Sequence, residues 1–271
     1  MLGNLNKPTG IEINIVIVVD GSTDGTIDML HQEFPEIHIV EGTGSWWYTR
    51  SMNEGFKYAL TLNPDAVLTL NDDIVIPPDY LTNLWTAYQN TGKRSIIGSV
   101  SFTHSKPHRI TNSGVKRWNR LLDKSTNYFP FLKEVDPDSL SGVKTTPVLP
   151  GRGMLIPMPV LKELNFFDEK FIQYHSDFDF TLRARKKNIG VFICWDARIF
   201  SFLEKTASGS SFLKSSFKSL IKNFNNPYGR SYITDRARYY WRHAIKVLWP
   251  WYMMKFFTLS FKNHFFKHKV G

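Results

Sequence analysis

The sequence predicts an α/β fold around a mostly parallel sheet, and three observations carry that reading. Apolar, β-branched runs at residues 13–19, 37–40 and 66–70 each stop at turn-forming residues. A helical pattern follows each run, and alternation of that kind marks a parallel sheet covered on both faces. The turns closing the first and third runs hold Asp20, Asp72 and Asp73. Ligands of such sheets gather at the carboxyl ends of the strands.

The elements follow in order. Thr23 or Asp24 can cap a helix at 26–33, whose Ile27, Leu30 and Phe34 fall on one side. After the second strand, a loop at 42–45 leads into a helix over 48–62. Pro77-Pro78-Asp79 then opens a helix over 80–90, with proline in its tolerated first-turn position. Residues 101–147 show no clear periodicity, carry mixed charge and read as a variable insertion. Residues 149–157 are strand-like around Gly151-Arg152-Gly153, a short helix is expected at 159–164, a longer one at 177–187 and a late strand at 191–195.

Composition narrows the class. A chain of 271 residues with 42% hydrophobic and 21% charged residues is globular, not disordered. The single cysteine, Cys194, excludes an intramolecular disulfide and fits a reducing compartment. Its apolar neighbours make it a buried structural thiol. The start of the sequence carries no basic-then-apolar leader. Residues 244–261 contain Lys246, Pro250 and Lys255 and fall short of a spanning helix.

The formal charge of +10 is unevenly placed: residues 201–271 hold 13 Lys/Arg against 2 Asp/Glu, and residues 1–200 hold 21 against 22. The reading is therefore a domain over 1–200 and a basic, aromatic-rich helical tail over 201–271. In the tail, Tyr239-Tyr240-Trp241, Trp249, Trp251-Tyr252, Phe256-Phe257, Phe261 and Phe265-Phe266 alternate with Arg242, Lys246, Lys255, Lys262 and Lys267. Such a pattern suits an anionic membrane surface, stacking on nucleic-acid bases, or plain packing under the main domain. The membrane is the preferred partner over nucleic acid.

Three constellations carry chemistry. Asn71-Asp72-Asp73 places two adjacent carboxylates at a strand end, which is costly without a positive neighbour. A hard divalent cation sharing a carboxylate with a diphosphate would satisfy them; a solvated turn before a proline-started helix is the plainer account. Asp20, within Asp20-Gly21-Ser22-Thr23-Asp24-Gly25-Thr26, can accept from a base or ribose, or belong to an ordinary capped turn. In Ser176-Asp177-Phe178-Asp179, Asp179 and Arg183 lie four apart and can pair on one helix face. That leaves Asp177 free to act as a general base, although acids at a helix start also complement its dipole. His175 reads as structural.

Together, VVDGSTDGT (18–26), GSWWYTRSMNEGFKYAL (44–60), LTLNDDIVIPPDYL (68–81), PGRGMLIP (150–157) and FDEKFIQYHSDFDFTLRARKKNIG (167–190) resemble the family 2 inverting glycosyltransferases of the GT-A fold. The tryptophan-rich segment and the GRG loop look most like a bacterial rhamnosyltransferase-like branch acting on surface polysaccharides. The resemblance implies that Asp20 contacts the nucleotide base and that Asp72 lies near the ribose and diphosphate. Asp73 would bind Mg²⁺ or Mn²⁺, and Gly151, Arg152 and Gly153 would line the donor-sugar and acceptor side. Asp177 takes the base's position, with Ser176-Asp177 where the family has Glu-Asp.

The implied activity is transfer from a nucleotide-diphosphate sugar to a glycan or lipid-linked acceptor, at the cytoplasmic face of the membrane. Two departures stand out. The family begins with a strand and helix before the VVD segment, whereas residues 1–7 look like the end of that helix, so the first strand is expected to be missing. Many relatives also carry one more residue before Gly-Ser-Thr, which displaces Asp20. A non-catalytic remnant that binds membrane or a partner, and a nucleic-acid-binding protein, are the competing functions.

Overall fold

The computed structural model describes residues 7–202 and 216–266. Residues 1–6, read above as the end of a helix, lie outside the described residues, as do 203–215 and 267–271, including Lys267.

The first β-α-β unit forms as its pattern predicts. β1 (Val16–Asp20) and β2 (His38–Gly42) pair in parallel, with Val18 opposite Val40, and α1 (Thr26–Glu33) crosses between them. Val19, Leu30 and Ile37 close a small core of their own. Then come α2 (Trp47–Thr61), β3 (Ala66–Thr69), the short β4 (Ile74–Val75) and α3 (Tyr80–Thr91). β5 (Ser95–Thr103) leads into β6 (Ile110–Asn112), a ribbon of β7 (Val115–Asn119) and β8 (Lys124–Asn127), and β9 (Val143–Thr145). β10 (Met154–Pro157), α4 (Met158–Glu163), α5 (Ser176–Lys186) and β11 (Gly190–Ser201) complete the sheet region. The tail forms α6 (Phe217–Asn225), α7 (Ile233–His243) and α8 (Trp249–Phe266).

The larger sheet has the order β3-β10-β5-β11-β4, with β6 beside β5 and β9 beside β11. β3, β5 and β11 run one way; β10 is reversed between β3 and β5, and β4 is reversed at the far edge. Alternation along the strands builds a core on each face. Ile96, Ile156 and Ile193 meet α2, α4 and α5 residues such as Phe56, Leu161 and Phe180. Ile97, Leu155 and Ile199 meet Tyr80 and Leu84 of α3. Cys194 is buried and free, as its apolar neighbours suggested.

Two differences from expectation have physical causes. Residues 101–147 are not a patternless insertion: they contain the end of β5 and all of β6–β9. The β7–β8 ribbon lies on the surface, and β8 is exposed throughout, so no buried face imprints a period on its sequence. β5 escaped because its serines look like an exposed face, yet every residue from Ser95 to Thr103 is buried. Ser99 gives its hydroxyl to the Gly153 carbonyl and also bonds the Tyr80 hydroxyl, which makes burial of a polar strand tolerable.

β1 and β2 form a sheet separate from the larger one, and β3 stands at the end of that larger sheet. α2 packs against both β1 and β3. Both strands are mostly half-buried where β5 and β10 are buried throughout.

The tail packs against the sheet domain rather than hanging from it. Tyr239, Tyr240, Tyr252, Met253 and Phe256 share one core with Phe171 and Leu182.

Candidate active site

Asp20 ends β1, and its carboxylate organises the start of α2. Oδ1 accepts from the Gly44 N–H at 2.7 Å, and Oδ2 from those of Trp46 and Trp47 at 2.8 and 3.0 Å. These are N–H groups without intrahelical partners at a helix start, so one distant acid caps them. The backbones meet closely here: Gly21 has φ +73°, and a Cβ on it would strike the Gly44 Cα. Only glycine fits that crossing. Sequence reasoning gave Asp20 no such task, because its partners lie 24 to 27 residues away.

Asp72 and Asp73 follow β3. Asp72 is exposed, and Asp73 has a side chain 20% exposed. The antiparallel pairing of β10 with β3 brings the 151–153 loop to the same strand end. Gly153 N–H donates to the Thr69 carbonyl at 2.8 Å, and the Thr69 hydroxyl donates to the Gly151 carbonyl. Arg152 thereby reaches Asp73, with Nη2 3.3 Å from Oδ2.

Asp177 arrives from α5. The helix starts behind His175, whose φ of +75° turns the chain sharply. Burial pushes the Asp177 carboxyl up, against the pull of the Gly151 and Phe178 N–H groups, each donating at 2.8 Å. Burial, with the Arg236 charge nearby, pushes the His175 pKa down to about 3 and keeps the ring neutral. Tyr48, in the first turn of α2, closes the set: its hydroxyl lies where a Gly151 Cβ would be.

The acids therefore converge. Arg152 pairs with Asp73 while the adjacent Gly151 N–H holds Asp177. The first turn of α2 carries both the Trp47 N–H on Asp20 and the Tyr48 ring beside Gly151. In this turn Trp47, at φ +57°, stacks on Tyr228 with centroids 3.8 Å apart. A cavity of about 540 Å³ lined by Asn53, Lys57, Phe166 and Arg242 includes none of Asp20, Asp73 or Asp177.

Asp179 faces the other way. It is fully buried and accepts from Arg183 Nε, Arg242 Nη1 and His243 Nε2, each at 2.7 Å. Burial alone would raise its carboxyl; the His243 hydrogen bond and the two guanidiniums outweigh that and hold it at about 2. Arg242 also pairs with Asp168 at 2.7 Å. Arg242 and His243 were missed from sequence, for no local spacing links positions 63 and 64 residues from Asp179.

Among the described residues no group of three or more His, Cys, Asp or Glu side chains could hold a metal by itself. Asp72 and Asp73 are hard oxygen donors at successive chain positions, Asp72 exposed and Asp73 beside Arg152. A Mg²⁺- or Mn²⁺-type ion ordinarily takes one or two carboxylates and completes its shell with substrate phosphates and water, so this donor set fits.

The family model of glycosyl transferase family 2 matches residues 2–139, and the chain belongs to that family. It is 26% identical over 179 residues to the low-salt glycan biosynthesis hexosyltransferase Agl10 of Haloferax volcanii, a match covering 66% of this chain and 55% of that protein. The crystal structure of GalNAc-T7 with UDP, GalNAc and Mn²⁺ superposes with a TM-score of 0.59 at 11% identity, over 96% of this chain and 53% of that one. S. aureus TarS 1–349 in complex with UDP superposes with a TM-score of 0.53 at 15% identity, over 100% of this chain and 69% of that one. These structures show the GT-A fold. The chain spans about half the length of Agl10 and of GalNAc-T7.

The crowding at Gly151 yields a test. Gly151→Ala should displace Tyr48 or swing the 151–153 loop from Asp177, lowering kcat on the order of 10²-fold. Steady-state transfer kinetics check this, and an unchanged kcat would refute the packing described.

Proposed function

We propose that the chain transfers a sugar, with inversion, from a nucleoside-diphosphate donor to a surface-polysaccharide or lipid-linked acceptor. The observation that carries this is the convergence of Asp73 and Asp177 on Gly151-Arg152. Asp177 accepts the proton of the acceptor hydroxyl as that oxygen bonds to the anomeric carbon. The anomeric bond to the diphosphate breaks on the opposite side, and the nucleoside diphosphate leaves with the electron pair.

Each Asp177 oxygen accepts one N–H, and a carboxylate has lone pairs left for the incoming proton. Its raised affinity for protons suits a base, whose pKa is best near the working pH. Asp73 and Asp72 would hold Mg²⁺ or Mn²⁺, which when bound neutralises charge on the departing diphosphate. Arg152 gives the same pocket a fixed cation. Asp20 serves the donor end both by shaping the 44–47 loop and by contact with the nucleotide base. Agl10 is named a hexosyltransferase and the two solved relatives hold UDP, which supports a nucleotide-sugar donor. GalNAc-T7 holds Mn²⁺, which supports a metal. The tryptophan-rich and GRG segments support the rhamnosyltransferase-like branch. The basic tail supports work at the cytoplasmic membrane face.

Calorimetry with UDP and thymidine diphosphate, with and without Mn²⁺, tests donor binding. Heat that requires Mn²⁺ and vanishes in Asp73→Ala is the expected result; heat indifferent to both removes the metal from the reading. The separation of β1–β2 from the larger sheet favours a second reading, in which this chain binds a membrane or partner without catalysing transfer. A folded sample giving no heat with either nucleotide would favour it.

A further inference from the structure

We propose that α8, α6 and the β7–β8 turn together form one face that seats on a bilayer containing anionic lipid. The inference builds on the membrane-face reading above and is independent of the transfer chemistry.

α8 is two-sided. Tyr252, Met253 and Phe256 are buried in the core shared with α5. On the opposite side Trp251, Met254, Thr258 and Phe261 follow helical three-and-four spacing, and the three large apolar residues are 48%, 54% and 45% exposed. An outward apolar stripe on a surface helix marks an interaction face.

Two separate parts of the chain extend this stripe. On one flank the β7–β8 turn presents Leu121 and Leu122, 60% and 56% exposed. The turn is fixed to α8: Lys255 Nζ donates to the Leu122 and Asp123 carbonyls at 2.7 and 2.6 Å, and the Tyr252 hydroxyl to that of Arg120 at 2.7 Å. On the other flank Phe224 of α6 packs on Phe256 and Phe257, and the Ser219 hydroxyl bonds His264 Nε2 at 3.0 Å. That contact leaves Phe217 and Ile221, one turn apart, 64% and 46% exposed.

Charge selects the partner. Lys218 and Lys222 sit beside Phe217 and Ile221, Lys262 beside Phe261, and Lys246 over the exposed Trp241 ring at 5.3 Å. The tail carries 13 cationic against 2 acidic residues. Aromatic and aliphatic side chains ringed by lysines match the headgroup boundary of an anionic leaflet, where rings enter the acyl edge and ammonium groups meet phosphates. No described helix is long and apolar enough to cross a membrane.

Sedimentation of the full chain with phosphatidylcholine vesicles, with and without phosphatidylglycerol, tests this without any activity readout. Binding should require phosphatidylglycerol and weaken with salt. Trp251→Ser with Phe261→Ser, and separately Leu121→Ser with Leu122→Ser, should each weaken it about tenfold or more, because each removes two inserted apolar side chains. Circular dichroism confirms that these surface variants stay folded. Equal binding to both vesicle types, no binding to either, or indifference to both double variants would overturn the proposal. So would a concentration-dependent dimer abolished by the same variants, which would give the face to a second copy. A donor-binding failure in calorimetry leaves these outcomes untouched, so the two readings fall separately.

Discussion

Replacing Asp177 with asparagine is expected to lower kcat by about 10²–10⁴-fold, the range a positioned general base contributes. Asp177 is held by the chain's own Gly151 and Phe178 N–H groups, so the donor KM should move far less than kcat. The pH profile adds a second readout. Burial raises the Asp177 carboxyl, and a base acts only when deprotonated. The rate should therefore fall, as pH drops, at a higher pH than an ordinary aspartate near about 3.9 would give. An Asp177→Asn enzyme with near-normal kcat, or a wild-type profile flat through that region, would remove Asp177 from the base role.

Asp179→Ala should be the most destabilising single change at the site. It removes a fully buried carboxylate that holds Arg183, Arg242 and His243. Removing one partner from a buried ionic cluster costs about 3–5 kcal/mol. For a chain of this size that is a fall in Tm on the order of 10 °C. Arg94→Ala, which breaks an exposed pair with Glu163, should cost no more than about 1 kcal/mol.

The folded pKa of Asp179, about 2, lies below its unfolded value. Its contribution is therefore complete above about pH 4 and is lost as pH falls towards 2. Urea unfolding of wild type and variant at neutral and acid pH reads both effects. A difference below about 1 kcal/mol at neutral pH would contradict the account.

What was legible in the sequence divides by range. α1, α3 and α5 stand within a residue or two of their expected bounds, because a one-sided apolar period and turn residues encode them locally. The Asp179–Arg183 pair was legible for the same reason: helical spacing alone sets it. β5 was not, since Ser95, Ser99 and Ser101 resemble a solvent face until Tyr80 and Gly153 come to bond Ser99. Nor were the partners of Asp20, the Tyr48 contact at Gly151 or the Arg242–His243 clasp, because each exists only after distant segments dock. Arg183, Gly151 and Arg152 were named from sequence, but that the last two hold Asp177 and Asp73 emerges only when the 151–153 loop docks. The tail's aromatics divided likewise, Tyr252 and Phe256 going inside and Trp251 and Phe261 outside, which composition alone cannot sort.

The Trp47–Tyr228 stack has a mechanical consequence. Tyr228 belongs to the connection between α6 and α7, and Trp47 is the first residue of α2, held through its N–H by Asp20. The stack therefore ties the connection between α6 and α7 to the helix start that Asp20 caps, so a pull on one is felt by the other.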